Sequence, residues 1–437
     1  MDTLYFWLLD YKEFILEQFY KRDLILWFFF FMPFFVMGEL PRYLVPAFVV
    51  YLLDALGYPR RHPDREAQLL RSKPFVSILV VGRNEEEAIE NTIRSLLELE
   101  YEPKEIIVVD DCSSTDEMYN VCKPYAEKGL IRLFRNEARL GRGGRPFASN
   151  FAFRLARGEF IISVDADTSF DRGMIEEMIA PFWDERVGAV AGNLKVRNLH
   201  KNILTDCQAC EYLQSITLWK RFTSWLGTLI QASGAFGAFR RRALRDVGAW
   251  DPELAEDADI SFKVKKLGYR LKFSDKAIAM TNVPDTVGAL VRQRIRWERG
   301  LVRTYYRKHR DIMDFRRFSP SNFIEMALEW VFSIGFALVY LLYWIIMLVF
   351  FTRMLPFILF MSYWGYVVVN FFILLFVIAT SERRKEEWRL LWVSFLMPLY
   401  KGFLRWVRIY SYIMEYLRIG YEVPYLPPTG YKFQPRW

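Results

Sequence analysis

The stretch Ile161-Ile162-Ser163-Val164-Asp165-Ala166-Asp167 decides the fold. Four residues that read as a buried strand run straight into two carboxylates one residue apart. So short and apolar a strand suits the middle of a parallel sheet covered on both faces. Its carboxyl end is where side chains leave the core, and in open α/β sheets ligands sit at that edge. Continued alternation points Asp165 and Asp167 the same way. Two carboxylates so close repel unless a cation lies between them. Hard oxygen ligands suit Mg²⁺ or Mn²⁺, ions that share their shell with substrate phosphates. A loop with solvated acids carries the same letters, so the flanking sequence must decide.

Upstream, Val76 to Val81 reads as a strand and Gly82-Arg83-Asn84-Glu85 as its turn. From Glu86 to Leu99 the period is helical, with Ile89, Ile93, Leu96 and Leu97 on one face. A second strand, Glu105 to Val109, ends in Asp110-Asp111; a helix follows to about Lys128, and Ile131 to Arg135 is a third strand. This βαβαβ order predicts a doubly wound parallel sheet with right-handed crossovers, half of a nucleotide-binding architecture. No GxGxxG follows the first strand and the chain has no GxxxxGK[ST], so acids at the strand ends must do the recognition. A carboxylate at the end of the second strand can accept hydrogen bonds from a base N–H or a ribose hydroxyl, which suits Asp110 or Asp111. Gly141-Arg142-Gly143-Gly144-Arg145 lets backbone approach a ligand closely and offers arginines to phosphates, although a flexible basic loop reads the same. A helix then runs to Arg157, closed by Gly158.

Downstream, Val187 to Val196 reads as a strand pair and Leu204 to Trp225 as a long helix carrying Glu211 and Tyr212. Ser233 to Phe239 is small and apolar, as in a tightly packed strand close to substrate. Glu256-Asp257-Ala258-Asp259 opens a helix to Leu267, where acids also serve as plain N-terminal stabilisers. Arg292 to Arg299 is strongly basic and fits an amphipathic helix on a membrane surface.

The chain has 437 residues, enough for a catalytic domain and extra elements. Hydrophobic residues are 53% and aromatics 17%, and the excess gathers at the two ends, so membrane segments are expected to flank a soluble domain. Leu24 to Leu56 is almost continuously apolar and is read as one crossing with the N-terminus outside, while Lys12, Lys21 and Arg22 favour two passes. Trp330 to Phe351 and Phe357 to Ala379 are each long enough to span, and Arg383, Arg384 and Lys385 place the following end inside. Leu390 to Leu404 reads as a third span, a re-entrant piece or an interfacial helix. The net charge of +8 suits positive-inside flanks and an anionic membrane surface; no nucleic-acid motif accompanies it. Cys207 and Cys210 form a lone CxxC whose apolar neighbours read as a helix face rather than a zinc site, so reduced thiols are expected. His62, His200 and His309 are scattered, which argues against histidine-based catalysis.

Taken in order, Asp110-Asp111, Asp165-Ala166-Asp167, Glu256-Asp257 and Gln293-Arg294-Ile295-Arg296-Trp297 resemble the motifs of the membrane-embedded family 2 glycosyltransferases, the group of cellulose, chitin, hyaluronan and poly-N-acetylglucosamine synthases. Gly144-Arg145 with Asn150 is similar to that family's GK-type loop, and Val283-Pro284-Asp285-Thr286 to the segment before the QxxRW helix. The resemblance implies an α/β GT-A fold with a mostly parallel sheet at 71–290, behind an N-terminal membrane segment at 1–70. It implies QxxRW and interfacial helices at 291–325, membrane helices at 326–420 and a tail at 421–437. It implies a nucleotide-sugar site of Asn84, Glu85, Asp110, Asp111, Arg145, Asp165, Gln293 and Arg296. Asp165 and Asp167 would sit at Mg²⁺ or Mn²⁺, Asp257 beside Glu256 would be the general base, and Trp297 would stack on the acceptor sugar. The expected reaction is inverting transfer from a UDP-sugar to a growing polysaccharide on the cytoplasmic side of the cell membrane, with export through the chain's own helices. Expected partners are the donor, a polysaccharide or lipid-linked acceptor, membrane lipids and subunits of an export complex. Transfer of a single sugar to a lipid or oligosaccharide is the first alternative, and a catalytically silent scaffold the second. Ala255 stands where the family usually has Thr, and Arg83 where a Tyr is common.

Overall fold

In the computed structural model, which describes residues 2–21, 35–57, 62–136 and 144–419, the 161–167 stretch is an interior strand and its exit. The strands are β1 (Val76–Gly82), β2 (Lys104–Asp111), β3 (Arg132–Asn136), β4 (Phe160–Asp165), β5 (Ser169–Phe170), β6 (Val187–Val196), β7 (Phe236–Arg240) and β8 (Arg270–Thr281). They form one eight-stranded sheet in the order β3-β2-β1-β4-β7-β6-β8-β5. The first four are parallel, with Gly82 opposite Asp110 and Val81 opposite Asp165, so the tips carrying the acids lie level. β7 runs antiparallel to both β4 and β6, with Phe236 opposite Val164. An antiparallel neighbour enters where β4 leaves, so the turn before β7 is delivered to the acid-bearing edge; Asp165 N–H donates to Ala235 O at 3.3 Å.

Alternation along the strands feeds two cores. Ile78, Val80 and Val108 face the helix Ile89–Leu97 through Ile89, Ile93 and Leu96. Leu79, Val81, Ile107 and Val109 face the helix Arg145–Leu155 through Ala148 and Ala152. β1 and β4 are thus covered on both faces, as their continuous apolar runs predict. At Gly158 the chain returns so close to β1 that a Cβ would lie 2.4 Å from the Ser77 backbone N, while Gly158 N–H donates to Ser77 Oγ at 2.7 Å.

Several elements differ from the sequence reading. Val187–Val196 is one strand, not a pair; it takes β7 on one side and β8 on the other, with a register shift at Gly192/Asn193. β8 escapes detection because its two-residue period, Leu271 and Phe273 against Lys272 and Ser274, is broken at Asp275, where its ladder with β6 also slips. The helix ending near Arg157 stops at Leu155, where Ala156 is already extended. The long helix from Ile203 holds a π-helical segment, Leu213–Lys220, before Arg221–Leu226 completes it.

Among the described residues two helices are long and apolar enough to cross a membrane, Pro320–Phe350 and Leu355–Ala379, and they overlap the two expected C-terminal spans. Of the N-terminal apolar run, residues 24–34 lie outside the described residues. The rest is the π-helix Phe35–Leu44 and the helix Val45–Ala55, where Phe48 packs edge-on against Phe376 at 5.8 Å. The third apolar run divides into a 3-10 segment, Trp388–Phe395, and the helix Met397–Tyr416. That helix turns its charges inward: Lys401 Nζ meets Glu39 at 2.7 Å and Arg408 Nε meets Glu298 at 2.8 Å. Cys207 and Cys210 are free, buried thiols on the helix Ile203–Tyr212. The expected tail at 421–437 and the glycines and arginine at 141–143 lie outside the described residues.

The contact at Gly158 leaves no room for a methyl group, and the atom it would strike is backbone. Gly158→Ala is expected to cost about 2 kcal/mol through overpacking, seen as a fall of several degrees in the Tm of the detergent-solubilised protein. An unchanged Tm would contradict the close approach.

Candidate active site

The β1 turn is held by Asn84, whose φ of 56° is a left-handed conformation that asparagine tolerates better than most residues. Its N–H donates to Ser113 Oγ at 2.9 Å, and its Oδ1 accepts from Ser114 N–H at 2.8 Å. Asn84 therefore ties the exit of β1 to the exit of β2. Asp110 and Asp111, adjacent on β2, separate by alternation. Asp110 is fully buried, accepting from Ser113 N–H at 3.0 Å and Arg135 Nε at 3.0 Å. Asp111 accepts from Gly144 N–H at 2.9 Å and Asn136 Nδ2 at 2.9 Å, and lines a cleft of about 260 Å³. Glu85, Arg145, Asp165 and Asp167 line the same cleft.

Arg145 joins the two halves of the site. Its guanidinium forms an ion pair with Asp165, lies 3.3 Å from Glu256 and donates from Nη2 to Gly234 O at 2.5 Å. Burial works against the charge on Arg145, but Asp165 and Glu256 outweigh it and hold the guanidinium above its ordinary range. Burial pushes Glu256 up to about 7, with Arg145 pulling it down and Asp257 pushing it further up. Glu85 is also pushed up to about 7, first by burial and then by Asp167 and Asp165. Burial and the charge of Asp165 raise Asp167, whose Oδ1 accepts from Thr168 Oγ1 at 3.1 Å.

Asp257 sits in a cradle built by the turn before β7. Its Oδ2 accepts from Gly234 N–H at 2.9 Å and from Gln231 Nε2 at 2.9 Å, and its Oδ1 accepts from Ala258 N–H at 2.8 Å. A Cβ on Gly234 would lie 3.0 Å from Asp257 Cβ, so glycine is what allows the turn to close on the carboxylate. Tyr305 Oη donates to Gln231 Oε1 at 3.0 Å, which fixes the amide with its NH₂ towards Asp257. Gln231 and Tyr305 escaped the sequence reading; the small run beginning at Ser233 was the only local signal near them.

The helix Val287–Leu301 carries the remaining candidates. Gln293 is half-buried and Arg296 exposed; Trp297 is 39% exposed, so one ring face is open to a ligand. None of the three lines the cleft. Between them Arg294 is buried, bidentate to Glu211 at 2.8 and 2.9 Å, with its guanidinium 4.4 Å from the Trp297 ring. The helix reaches the segment before Glu256 at Gly300, where a Cβ would lie 2.9 Å from Ala255 Cβ. The structure thus gathers Glu85, Asp111, Arg145, Asp165 and Asp167 in one cleft, joins Glu256 and Asp257 to it through Arg145 and Gly234, and sets Asp110 behind it.

Among the described residues no group of three or more His, Cys, Asp or Glu could by itself hold a metal ion. A two-carboxylate set suits a Mg²⁺ or Mn²⁺ that takes its other ligands from water and phosphate. Burial first, and then the neighbouring charge of Asp165 and, for Glu85, of Asp167, pushes Glu85 and Asp167 up, and a divalent cation would relieve the second of these causes.

Residues 77–248 match the model of glycosyl transferase family 2. The poly-beta-1,6-N-acetyl-D-glucosamine synthase of Staphylococcus aureus (strain COL) is 33% identical over 270 residues, 61% of this chain and 64% of that protein. The synthase of the same name from Staphylococcus epidermidis is 34% identical over 227 residues, 52% of this chain and 54% of that one. The match therefore spans less than two thirds of these relatives' length. A mannosyltransferase from Pyrobaculum calidifontis, solved with GDP-Man and Mn²⁺, shares the fold at a TM-score of 0.53 and 19% identity, over 86% of this chain and 99% of that one.

Asn84→Ala loses the bonds to Ser114 and strains the left-handed backbone, whereas Asn84→Gly loses only the bonds. The alanine variant is expected to be about 1 kcal/mol less stable than the glycine variant, read as the lower Tm of the two. Equal melting would contradict the backbone's role in the turn.

Proposed function

We propose that this chain, whose residues 77–248 form a family 2 glycosyltransferase domain, transfers a sugar from a nucleoside diphosphate donor to the growing end of a polysaccharide, inverting the anomeric carbon. The observation that carries this reading is Arg145, which lines the cleft and pairs with both Asp165 and Glu256. The names of the Staphylococcus relatives support N-acetylglucosamine as the sugar transferred, and in this proposal its carrier is UDP.

In this reading Asn84, Glu85 and Asp111 hold the nucleoside side of the cleft. Asp165 and Asp167 would hold Mg²⁺ or Mn²⁺, and a bound ion would offset the charge growing on the departing diphosphate. Arg145 adds a fixed guanidinium at the same place. Asp257 takes the proton from the acceptor hydroxyl as the oxygen attacks C1, and its carboxylate becomes neutral as it does so. The donors on Oδ2 from Gly234 and Gln231 hold the carboxylate plane still for that transfer. No leaving-group acid is needed when the departing group is a diphosphate, so one base and one displacement give inversion. The open face of Trp297 suits the C–H-rich face of an acceptor sugar, with Gln293 and Arg296 on the same helix towards the diphosphate or acceptor end.

The helices Pro320–Phe350 and Leu355–Ala379 support a place in the cell membrane. Arg383, Arg384 and Lys385, directly after the second, favour a cytoplasmic catalytic domain. Export of the product through these helices belongs to the same proposal.

Removing a general base typically costs 10²–10⁴-fold. Asp257→Asn is expected to lower UDP release from UDP-N-acetylglucosamine by about 10³-fold, while UDP binding measured by calorimetry stays within a few-fold. Full activity in this variant would remove the base assignment. Processive growth predicts long chains at limiting enzyme, sized by gel filtration of the product; a uniform single addition would show a non-processive enzyme instead.

A further inference from the structure

The half-open ring of Trp297 stands on a built support. Arg294 precedes it by one helical turn on the helix Val287–Leu301, so the two side chains meet on one face. The Arg294 guanidinium lies 4.4 Å from the centre of the Trp297 ring. Arg294 is 8% exposed, and its Nη1 and Nη2 donate to Glu211 Oε1 and Oε2 at 2.8 and 2.9 Å. Its Nε is buried with no hydrogen-bond partner among the described residues, so the fork to Glu211 is what sets the guanidinium plane. Glu211, near the end of the helix Ile203–Tyr212, is held in its turn. Tyr400 Oη, on the helix Met397–Tyr416, donates to Glu211 Oε2 at 2.6 Å. The ring thus ends a chain of contacts that begins in the apolar C-terminal part.

A partly exposed indole standing alone on a helix would turn about its side-chain bonds, and a ligand would have to stop that motion on binding. A planar cation against one face holds the ring by attraction to its π-cloud and leaves the other face for a sugar. Lysine has neither the flat surface nor the fork that Glu211 receives. Neither Arg294 nor Glu211 lines the cleft of the strand-tip acids. Their influence on transfer therefore runs through the ring and not through the diphosphate.

We propose that Arg294 is a positioning residue for the acceptor: locked by Glu211 and Tyr400, it backs the Trp297 ring and presents the far face of that ring to the sugar at the growing end. The inference rests on the reading of Trp297 as the acceptor platform. An ion pair that only held the helices together would weaken donor and acceptor alike and would not need the ring, so the two roles can be separated.

The experiment follows transfer from UDP-N-acetylglucosamine to a short β-1,6-linked N-acetylglucosamine oligosaccharide by the detergent-solubilised protein. Acceptor is varied at saturating donor, and donor at saturating acceptor. The variants are Arg294→Met, Arg294→Lys, Tyr400→Phe, Trp297→Ala, and Arg294→Met and Tyr400→Phe each combined with Trp297→Ala. Arg294→Met is expected to raise the acceptor KM about tenfold, with the donor KM unchanged, and Trp297→Ala to raise it at least as far. The Arg294→Met combination matches Trp297→Ala alone, because residues that act through one contact are not additive. Arg294→Lys keeps the charge without the fork, and Tyr400→Phe keeps the fork without its brace; each raises the acceptor KM about threefold. Tyr400→Phe and its combination carry the test if Arg294→Met fails to fold. A donor KM that rises as much as the acceptor KM overturns the inference, as does a combined variant whose loss is the product of the single losses. If Trp297→Ala raises the acceptor KM and Arg294→Met does not, the Arg294 inference alone falls. If Trp297→Ala leaves the acceptor KM unchanged, the reading of Trp297 falls first.

Discussion

The site depends on one half-buried guanidinium. Arg145 is held between Asp165 at the end of β4, Glu256 at the start of a helix and the carbonyl of Gly234 in the turn before β7. These groups come from three distant parts of the chain, and without a cation among them the carboxylates would repel. Partnered buried charges of this kind are costly to break, because removing one partner strands the others in a low-dielectric setting. The bridge therefore fixes the distance between the strand-tip acids and the candidate base, which is the quantity that the proposed displacement demands.

Sheet topology makes that bridge possible. Parallel strands bring the tips of β1, β2 and β4 to one edge, and the antiparallel β7 delivers its preceding turn to the same edge. A wholly parallel arrangement would have put that turn at the opposite end of the sheet. The inserted antiparallel strand is what allows Gly234 to touch Asp257 while Ala235 receives the backbone N–H of Asp165. From this core the helix Val287–Leu301 runs outward, with Gly300 against Ala255 and Arg294 locked to Glu211. Glu211 in turn accepts from Tyr400 at 2.6 Å on the inward-facing helix Met397–Tyr416. The segment before Glu256 and the apolar C-terminal part are thus joined by part-buried polar contacts.

Much of this was legible in the residues. Asp165 and Asp167 follow an unmistakable buried strand, and βαβαβ order places the ends of β1 and β2 beside them. What stayed hidden is what non-local pairing creates. Asp110 and Asp111 are neighbours on one strand, so alternation sends them to different faces, but the partner that claims Asp110 is Arg135 on β3. Gln231 lies 26 residues from Asp257 and 74 from Tyr305, and nothing local marks either partnership. β8 was missed because its two-residue period is broken at Asp275, where its ladder with β6 slips.

The central claim is that one cleft holds the sugar diphosphate, its cation and the base. A high-resolution structure of the protein with UDP and Mn²⁺ tests it most directly. The account predicts the ion between the Asp165–Asp167 pair and the diphosphate, the uridine against Asp111, and Asp257 facing the space beyond the β-phosphate. A diphosphate bound away from Asp165 and Asp167, or an Asp257 walled off from it, would contradict the account.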